Sequence, residues 1–409
     1  MPVVHPFRAL RPKSEYGEAV AALPYDVLST AEARIMAQGN PRSFLHVDKP
    51  EMDLPDDVHQ YAPEVYAGAK TALDKLVAGG AMTEDAKPCF YIYRQTVGAR
   101  TQTGLAACAQ VADYDAGIIK KHELTRTDKE NDRVKHVDTL SAHTGPIFLT
   151  YRAGAAPQPK ALMQAWIDSH QPVYDFKSED GVGQTMWVVD DDAAIKQLGA
   201  AFESVDFLYI ADGHHRAAAA SRVAAMRTGD SPEAESGRFL TVIFPHDELK
   251  ILDYNRLLRD LNVWDVAGFL AALGEKFTIS QSPTPVKPTK PHTFGLYIAG
   301  KWYSAKYKLS APADVVERLA VAVLQNEVLA PLLGIQNPQT DKRIDFVGGI
   351  RGTYELEQRV DSGEMALAFT VCPTTLTELM DVADAGRIMP PKSTWFEPKL
   401  RSGLLIHKF

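Results

Sequence analysis

The chain is poor in cysteine, in long apolar runs and in basic charge, and each shortage excludes something. Three cysteines, Cys89, Cys108 and Cys372, are spread over 409 residues. They lack the paired spacing of a zinc site, and an odd number completes no disulfide framework. Buried free thiols are the expectation, with a reducing cytoplasm as the location. No run approaches the ~18–20 apolar residues of a membrane helix. The opening MPVVHPFRALRPK has no apolar secretory core, and the closing GLLIHKF has no lipidation motif, so no membrane partner is expected. Lys and Arg number 44 against 52 Asp and Glu, a formal charge of −8. Gripping nucleic acid takes a basic face that displaces counterions, so no nucleic-acid partner is expected either.

What remains is ordinary soluble-protein material, 45% hydrophobic and 23% charged. A chain this long exceeds one usual core. We expect a main domain over residues 1–247 and a second α+β region over 248–409, with the C-terminal tail packing back on the first. Helices are expected over 29–38, capped at Ser29 or Thr30, and over 62–79, where apolar residues recur every three or four positions. The aromatic run 89–95 and the run 104–111 read as a hairpin across a turn at 96–103. Residues 120–141 are densely charged and helical in period. Short strands near 146–151, 184–189, 205–211 and 239–244 interleave with helices near 160–168, 191–203 and 214–227, the last stopped by Gly229-Asp230-Ser231-Pro232. Further on, a hairpin around Gly300, helices over 313–334, 354–362 and 375–385 and a strand at 366–371 are expected. No internal repeat occurs. The fold class is mixed α/β or α+β, without a long βαβ series.

The sharpest motif is LYIADGHHRAAAASR at 208–222. If 205–211 is a strand and 214–227 a helix, DGHHR opens the helix. There the first amide N–H groups lack intrahelical partners and the dipole is positive. Asp212 is a natural N-cap, Gly213 permits close approach of a ligand, and His214, His215 and Arg216 add side-chain donors. Helix starts of this kind favour phosphate, which Arg216 can hold through two N–H groups. The bland alternative is a capped helix with solvated or packed histidines. Three cationic groups at a positive dipole end conflict locally unless an anion relieves them, and such conflicts concentrate at functional sites. Adjacent histidines point about 100° apart on a helix and rarely reach one ion. Asp212 helping to hold Mg²⁺ beside nucleotide phosphates is the better metal reading.

Three further segments carry candidates. In KKHELTRTDKENDRVKH, Glu123 can serve as a general base toward a hydroxyl. His122 stands beside it as a substrate contact, and Arg126, Lys129 and Arg133 share a helical face that can reach phosphate. A solvated, salt-bridged helix is the equal alternative. LPYDV puts Tyr25 and Asp26 at a turn, either as substrate contacts or as a plain helix start. PPKSTWFEPK at 390–399 has lysines, Lys392 foremost, that can reach phosphate, although its prolines and aromatics also suit a packed tail.

These segments, PYDVLS, QTGLAACAQVADYDAGIIKKHELT, YIADGHHR and MPPKSTWFEPKLRSGLLI, together resemble the bacterial and archaeal DUF1015 family, in its order and over nearly the whole chain. The family name conveys no activity. DGHHR is also similar to the phosphate-binding motif of the ParB/sulfiredoxin-like group, which includes free-serine kinases. That resemblance implies a ParB/sulfiredoxin-like core, donor phosphates held by Asp212, Gly213, His214, His215 and Arg216, and a glutamate base for which Glu123 is the candidate. The reading is a cytoplasmic, Mg²⁺-dependent small-molecule kinase using ATP or ADP, with L-serine as acceptor and O-phosphoserine as product. His215 and Arg216 would stabilise the transferred phosphoryl group. Two alternatives stay open: a ParB-like nucleotide-binding switch with no small-molecule substrate, and a metal-dependent hydrolase of phosphorylated metabolites. Oligomeric state is not legible.

Overall fold

The computed structural model describes residues 1–227 and 234–409. The expected helix stop at 229–232 lies outside the described residues. The chain divides into two compact units, Met1–Leu249 with Pro398–Phe409, and Lys250–Glu397.

The first unit is built on a nine-stranded mixed sheet: β1 (Val4–His5), β2 (Phe90–Val97), β3 (Arg100–Gln110), β4 (Ile119–Lys120), β5 (Ile147–Tyr151), β6 (Tyr174–Lys177), β7 (Gly183–Val189), β8 (Leu208–Asp212) and β9 (Arg238–Pro245). The order across it is β4-β8-β5-β9-β3-β2-β7-β6, with β1 added on β3. β8 runs parallel to β4 and β9 parallel to β5, and the other pairings are antiparallel. Six helices matter here: α1 (Thr30–Ala37), α2 (Pro63–Ala78), α3 (Thr127–Leu140), α4 (Gln158–Ser169), α5 (Asp192–Phe202) and α6 (His214–Arg227). The mixed α/β expectation stands.

Each element follows from local chemistry. Ser29 and Glu32 form a reciprocal capping box that starts α1. Asp191 caps α5 by accepting from the Ala194 N–H. α6 is alanine-rich, which favours helix and lets it lie close: Ala217, Ala220 and Ala224 join a core with Leu105, Leu149, Ile210 and Phe239. Val134 and Val137 of α3 pack on Ala219 and Val223 of α6.

The hairpin differs from the sequence reading. Strands β2 and β3 run on to Val97 and Arg100, so the turn is Gly98-Ala99 rather than 96–103. Gly98 takes φ +59°, which glycine tolerates. Polar residues made these strand ends look like loop, but Gln95, Gln102 and Gln184 are buried and bond to one another across the sheet: Gln102 Nε2 donates to Gln95 Oε1 at 3.0 Å, and Gln95 Nε2 to Gln184 Oε1 at 3.2 Å. α3 also starts later than expected, at Thr127, because 119–120 is engaged as β4.

A small four-stranded sheet in the same unit pairs Met82–Glu84, Ala9–Pro12, Ile406–Lys408 and Ala142–His143 in that order. The second unit carries a six-stranded antiparallel sheet, including a hairpin of Thr293–Ile298 and Lys301–Tyr307 that turns at Ala299-Gly300 with both φ values positive. The helix expected at 313–334 is shorter: Ala320–Leu324 is α-helical and Gln325–Leu329 widens to a π turn.

Candidate functional site

The site forms where β8 becomes α6. Strand β8 is bulged against β5: Ile210 pairs with Leu149 and Asp212 with Phe148, leaving Ala211 between them. A bulge re-aims the residue that follows it, here Asp212. Gly213 then takes φ +94°, where any Cβ would be strained and would stand 3.5 Å from Ile147 Cα. The Gly213 carbonyl accepts from the Ala217 N–H at 3.0 Å. Gly213, not Asp212, is therefore the N-cap, since the strand keeps Asp212. The amides of His214, His215 and Arg216 make up the first turn, where no intrahelical acceptor exists.

Beside this turn lies a small open cleft lined by Pro24, Asp26, Pro146, Phe148, Asp212, Gly213, Arg216, Lys399 and Leu400. Arg216 donates through Nη1 to the Pro146 carbonyl at 3.0 Å. Its Nη2 stands 4.0 Å from Asp26 Oδ1, and its guanidinium lies 5.4 Å from the Tyr25 ring centre. Gly145 gives it room, because a Cβ there would meet Arg216 Nη1 at 3.0 Å.

Lys399 completes the cleft. Its Nζ lies 2.8 Å from Asp212 Oδ2, and its backbone carbonyl accepts from Gln95 Nε2 at 2.9 Å. The buried glutamine ladder thus pins the C-terminal segment that delivers the lysine. Burial alone would raise the Asp212 pKa. Lys399, Arg216 and the Gly213 N–H, which donates to Oδ1 at 2.8 Å, outweigh it and hold the carboxyl below its usual range.

The histidines correct the sequence argument. Burial lowers the pKa of both His214 and His215, and outweighs the nearby carboxylates, Asp212 at the first and Asp26 at the second, that act the other way. Both rings are therefore neutral near pH 7, and the expected conflict of three cations with the helix dipole does not arise. Arg216 alone of the three carries charge. His215 Nε2 accepts from the Arg126 N–H at 3.0 Å, a bond that fixes the segment before α3. His214 is 5% exposed and turns away toward His122, the two rings meeting edge-on at 4.5 Å. Neither histidine side chain lines the cleft.

His122 is 2% exposed, and burial lowers its pKa to about 4. Glu123 is 41% exposed, with Oε2 3.9 Å from His214 Nδ1. Parallel pairing of β4 with β8 brings this pair to the start of α6 although 90 residues separate them in sequence.

The basic face expected on α3 is not one. Arg126 is the N-cap and pairs with Asp128 at 2.8 Å. Lys129 is half-buried near the Tyr61 ring. Arg133 is buried, paired with Asp132 at 2.7 Å and stacked 3.8 Å from the Tyr25 ring centre. Tyr25 itself is buried, and its hydroxyl pKa is raised, chiefly by desolvation. Arg133 therefore supports Tyr25 from behind, while Asp26 reaches the cleft. Lys392 belongs to the second unit, with Nζ 5.4 Å from the Tyr254 ring centre and its carbonyl accepting from Arg256. Lys399 is the lysine of that run in the cleft. Its preference over Lys392 was not readable from spacing, since the glutamine ladder that places it is built from distant strands.

Fold and cleft define a mixed α/β protein with a strand–glycine–helix turn opening on paired charges. The chain belongs to the DUF1015 family: the family model, described as "Protein of unknown function (DUF1015)", matches residues 4–325. No curated protein matches the sequence. Among solved structures, the chain is similar to a free serine kinase in complex with AMP at 14% identity, covering 73% of this chain and 91% of that one, with a TM-score of 0.37. It is similar to a conserved hypothetical protein from Pyrococcus furiosus at 16% identity, covering 73% and 94%, with a TM-score of 0.36. It is also similar to SbnI with a C-terminal truncation from Staphylococcus aureus at 12% identity, covering 74% and 87%, with a TM-score of 0.38. Likeness at these scores does not bear on chemistry. Among the described residues, no helix is long and apolar enough to cross a membrane.

Proposed function

We propose that the protein is a nucleotide-dependent phosphotransferase acting on a small hydroxyl metabolite. ATP or ADP is the donor, Mg²⁺ accompanies the nucleotide, and L-serine, suggested by the DGHHR motif, is the first acceptor to test. One observation carries this reading: the cleft combines a glycine-opened helix start with Arg216 and Lys399. Helix N-termini and arginine forks are the groups that recognise phosphate oxygens.

The donor phosphates lie against Gly213 and the first-turn amides. Arg216 uses the N–H groups not engaged by Pro146, and Lys399 supplies charge. Glu123 is the candidate base that the motif suggests. It is not among the residues lining the cleft but stands beside the His214 ring, so the acceptor has to extend from the cleft to that side for its hydroxyl proton to pass to Glu123 as the oxygen bonds to phosphorus. The bond from phosphorus to the nucleotide breaks, and the nucleotide leaves one phosphate shorter. Positioning and charge stabilisation supply most of the rate in such transfers. His214 contributes its amide rather than its ring, and His215 keeps the Arg126 segment in place. Asp212 fits Mg²⁺ once Lys399 turns to the phosphate, because its oxygens otherwise bond Lys399 and the Gly213 N–H.

The test is incubation with Mg²⁺ and ATP or ADP over a panel of amino acids and sugars, with phosphorylated product read by mass spectrometry. Arg216→Ala is expected to lower turnover about a hundredfold or more. Tight nucleotide binding without product from any acceptor would refute phosphotransfer in favour of a nucleotide-binding switch. Turnover of phosphorylated metabolites without nucleotide would point to a hydrolase.

A further inference from the structure

We propose that His122, Glu123 and His214 form a binding site for a divalent first-row transition ion of the Zn²⁺ class. One nitrogen from each ring and one oxygen of Glu123 lie within 4.8 Å of one another. The site goes beyond phosphotransfer and does not depend on it.

Three features argue for a ligand set rather than packed side chains. First, His122 is 2% exposed, yet neither ring nitrogen has a partner in good hydrogen-bond geometry, the Ile210 backbone offering only a weak one. An unsatisfied buried polar group costs about 1–3 kcal/mol, and an ion bound to the ring would remove that cost. Second, Glu123 Oε2 and His214 Nδ1 are 3.9 Å apart, beyond hydrogen bonding. Ligands ~2.1 Å from one tetrahedral ion sit about 3.4 Å apart, so a shift of about half an ångström closes the pair on a metal. Third, the donors have the right kind and depth. Two imidazoles lie buried and the carboxylate is 41% exposed, which leaves an entry side. Two histidines and a carboxylate are the donor set of catalytic zinc sites with an open position, and imidazole donors select against Mg²⁺.

Proton accounting at His214 is simple. Its Nε2 faces the His122 N–H at 3.5 Å, the outer limit of a hydrogen bond. In the metal-free ring that leaves the proton on Nδ1. Binding through Nδ1 moves this proton to Nε2 with no net proton released, and it gives up the long bond from the His122 N–H, from which the ring has to turn. The adjacency problem of His214 and His215 is avoided, because the second imidazole comes from the end of β4 and not from the same helix.

The experiment uses the full chain, stripped with EDTA and dialysed against Zn²⁺, Co²⁺, Mn²⁺ or Mg²⁺, without nucleotide. Metal content and calorimetry are read together with the Co²⁺ absorption spectrum. One Zn²⁺ per chain is expected, with imidazole-type Co²⁺ bands and no Mg²⁺ retained. His122→Gln and His214→Gln should each weaken Zn²⁺ at least a hundredfold. Glu123→Gln, at a half-exposed position that folding tolerates, should weaken it at least tenfold. No stoichiometric Zn²⁺ on the wild-type chain, or unchanged affinity in folded Glu123→Gln, overturns the proposal. A bound ion occupies the carboxylate that phosphotransfer uses as base. Kinase assays are therefore run on stripped protein with Mg²⁺ alone, so that failure of one reading is distinguishable from failure of the other.

Discussion

Replacing Lys399 by methionine keeps the length of the side chain and removes its charge. The stem is largely buried, with 12% of the side chain exposed, and Nζ sits 2.8 Å from Asp212 Oδ2. Asp26, Asp212, Arg216 and Lys399 leave the wild-type cleft formally neutral, and the variant makes it −1. A phosphate about 5 Å from the lost ammonium forfeits ~3 kcal/mol at an effective dielectric of about 20. Release of Lys399 from Asp212 on binding would have cost part of that. A net loss of ~1.5–3 kcal/mol is expected, which is about a ten- to hundredfold weaker Kd for ADP. Stability should fall less, by about 1–2 kcal/mol, because Asp212 is more than a third exposed and screened. The assay is calorimetric titration of ADP at low and at physiological salt, with unfolding followed by circular dichroism. Lys392→Met is the comparator, since it removes the other lysine of the same run. Unchanged ADP affinity in folded Lys399→Met, with loss in Lys392→Met instead, refutes the assignment of Lys399 to the phosphate.

Gly145→Ala puts a Cβ 3.0 Å from Arg216 Nη1 and 3.0 Å from Ser402 Oγ. The guanidinium has to move, so ADP affinity should fall about three- to tenfold with little change in melting temperature. Arg133→Met leaves the Asp132 carboxylate buried beside Tyr66 without its cation. Loss of about 3–5 kcal/mol is expected by urea titration, and a loss below 1 kcal/mol would mean that water reaches Asp132. His136 and His143 are buried, which lowers their pKa values to about 4 and about 3 from 6.5; Arg133 adds to the first and His407 to the second. Because the unfolded chain protonates first, their contribution is complete above about pH 6.5 and is lost as pH falls through that window toward 4 and 3. Up to about 2 kcal/mol per ring is at stake at pH 5. Urea midpoints of wild type and His136→Gln at pH 7 and pH 5 check this, and equal pH sensitivity in the two proteins counts against it.

Local signals in this chain were readable wherever one residue type fixes one geometry. Ser29 or Thr30 marked a helix start, which the structure gives to Ser29 with Glu32 as a capping box, and the helix expected over 375–385 starts at a second box, Thr375 with Glu378. Gly300 marked a hairpin, and the alanines of 214–227 a helix with the expected bounds. Errors came where tertiary partners override local chemistry. Gln95 and Gln102 look like loop residues until Gln184 and the Lys399 carbonyl satisfy them in the sheet. The charged run 120–141 looked like one helix because nothing local announces that 119–120 is captured by a strand almost 90 residues away.

The same distinction separates what DGHHR disclosed from what it concealed. Motif spacing located the strand–glycine–helix turn, because Gly213 at φ +94° is a requirement of the backbone itself. It did not disclose protonation, which depends on burial. The sequence shows three titratable groups in a row, whereas the folded protein keeps one cation, Arg216, in the cleft and sends the His214 ring the other way. Adjacent residues at a helix start diverge by about 100°, so a run of polar residues there necessarily serves two environments. In this chain those environments are a charged cleft holding Asp212, Arg216 and Lys399, and a buried pocket holding His122 and His214. Gly213 is the pivot between them. Substitution of Gly213 should therefore disturb anion affinity and Zn²⁺ affinity together, whereas Lys399→Met changes the first alone and Glu123→Gln changes the second.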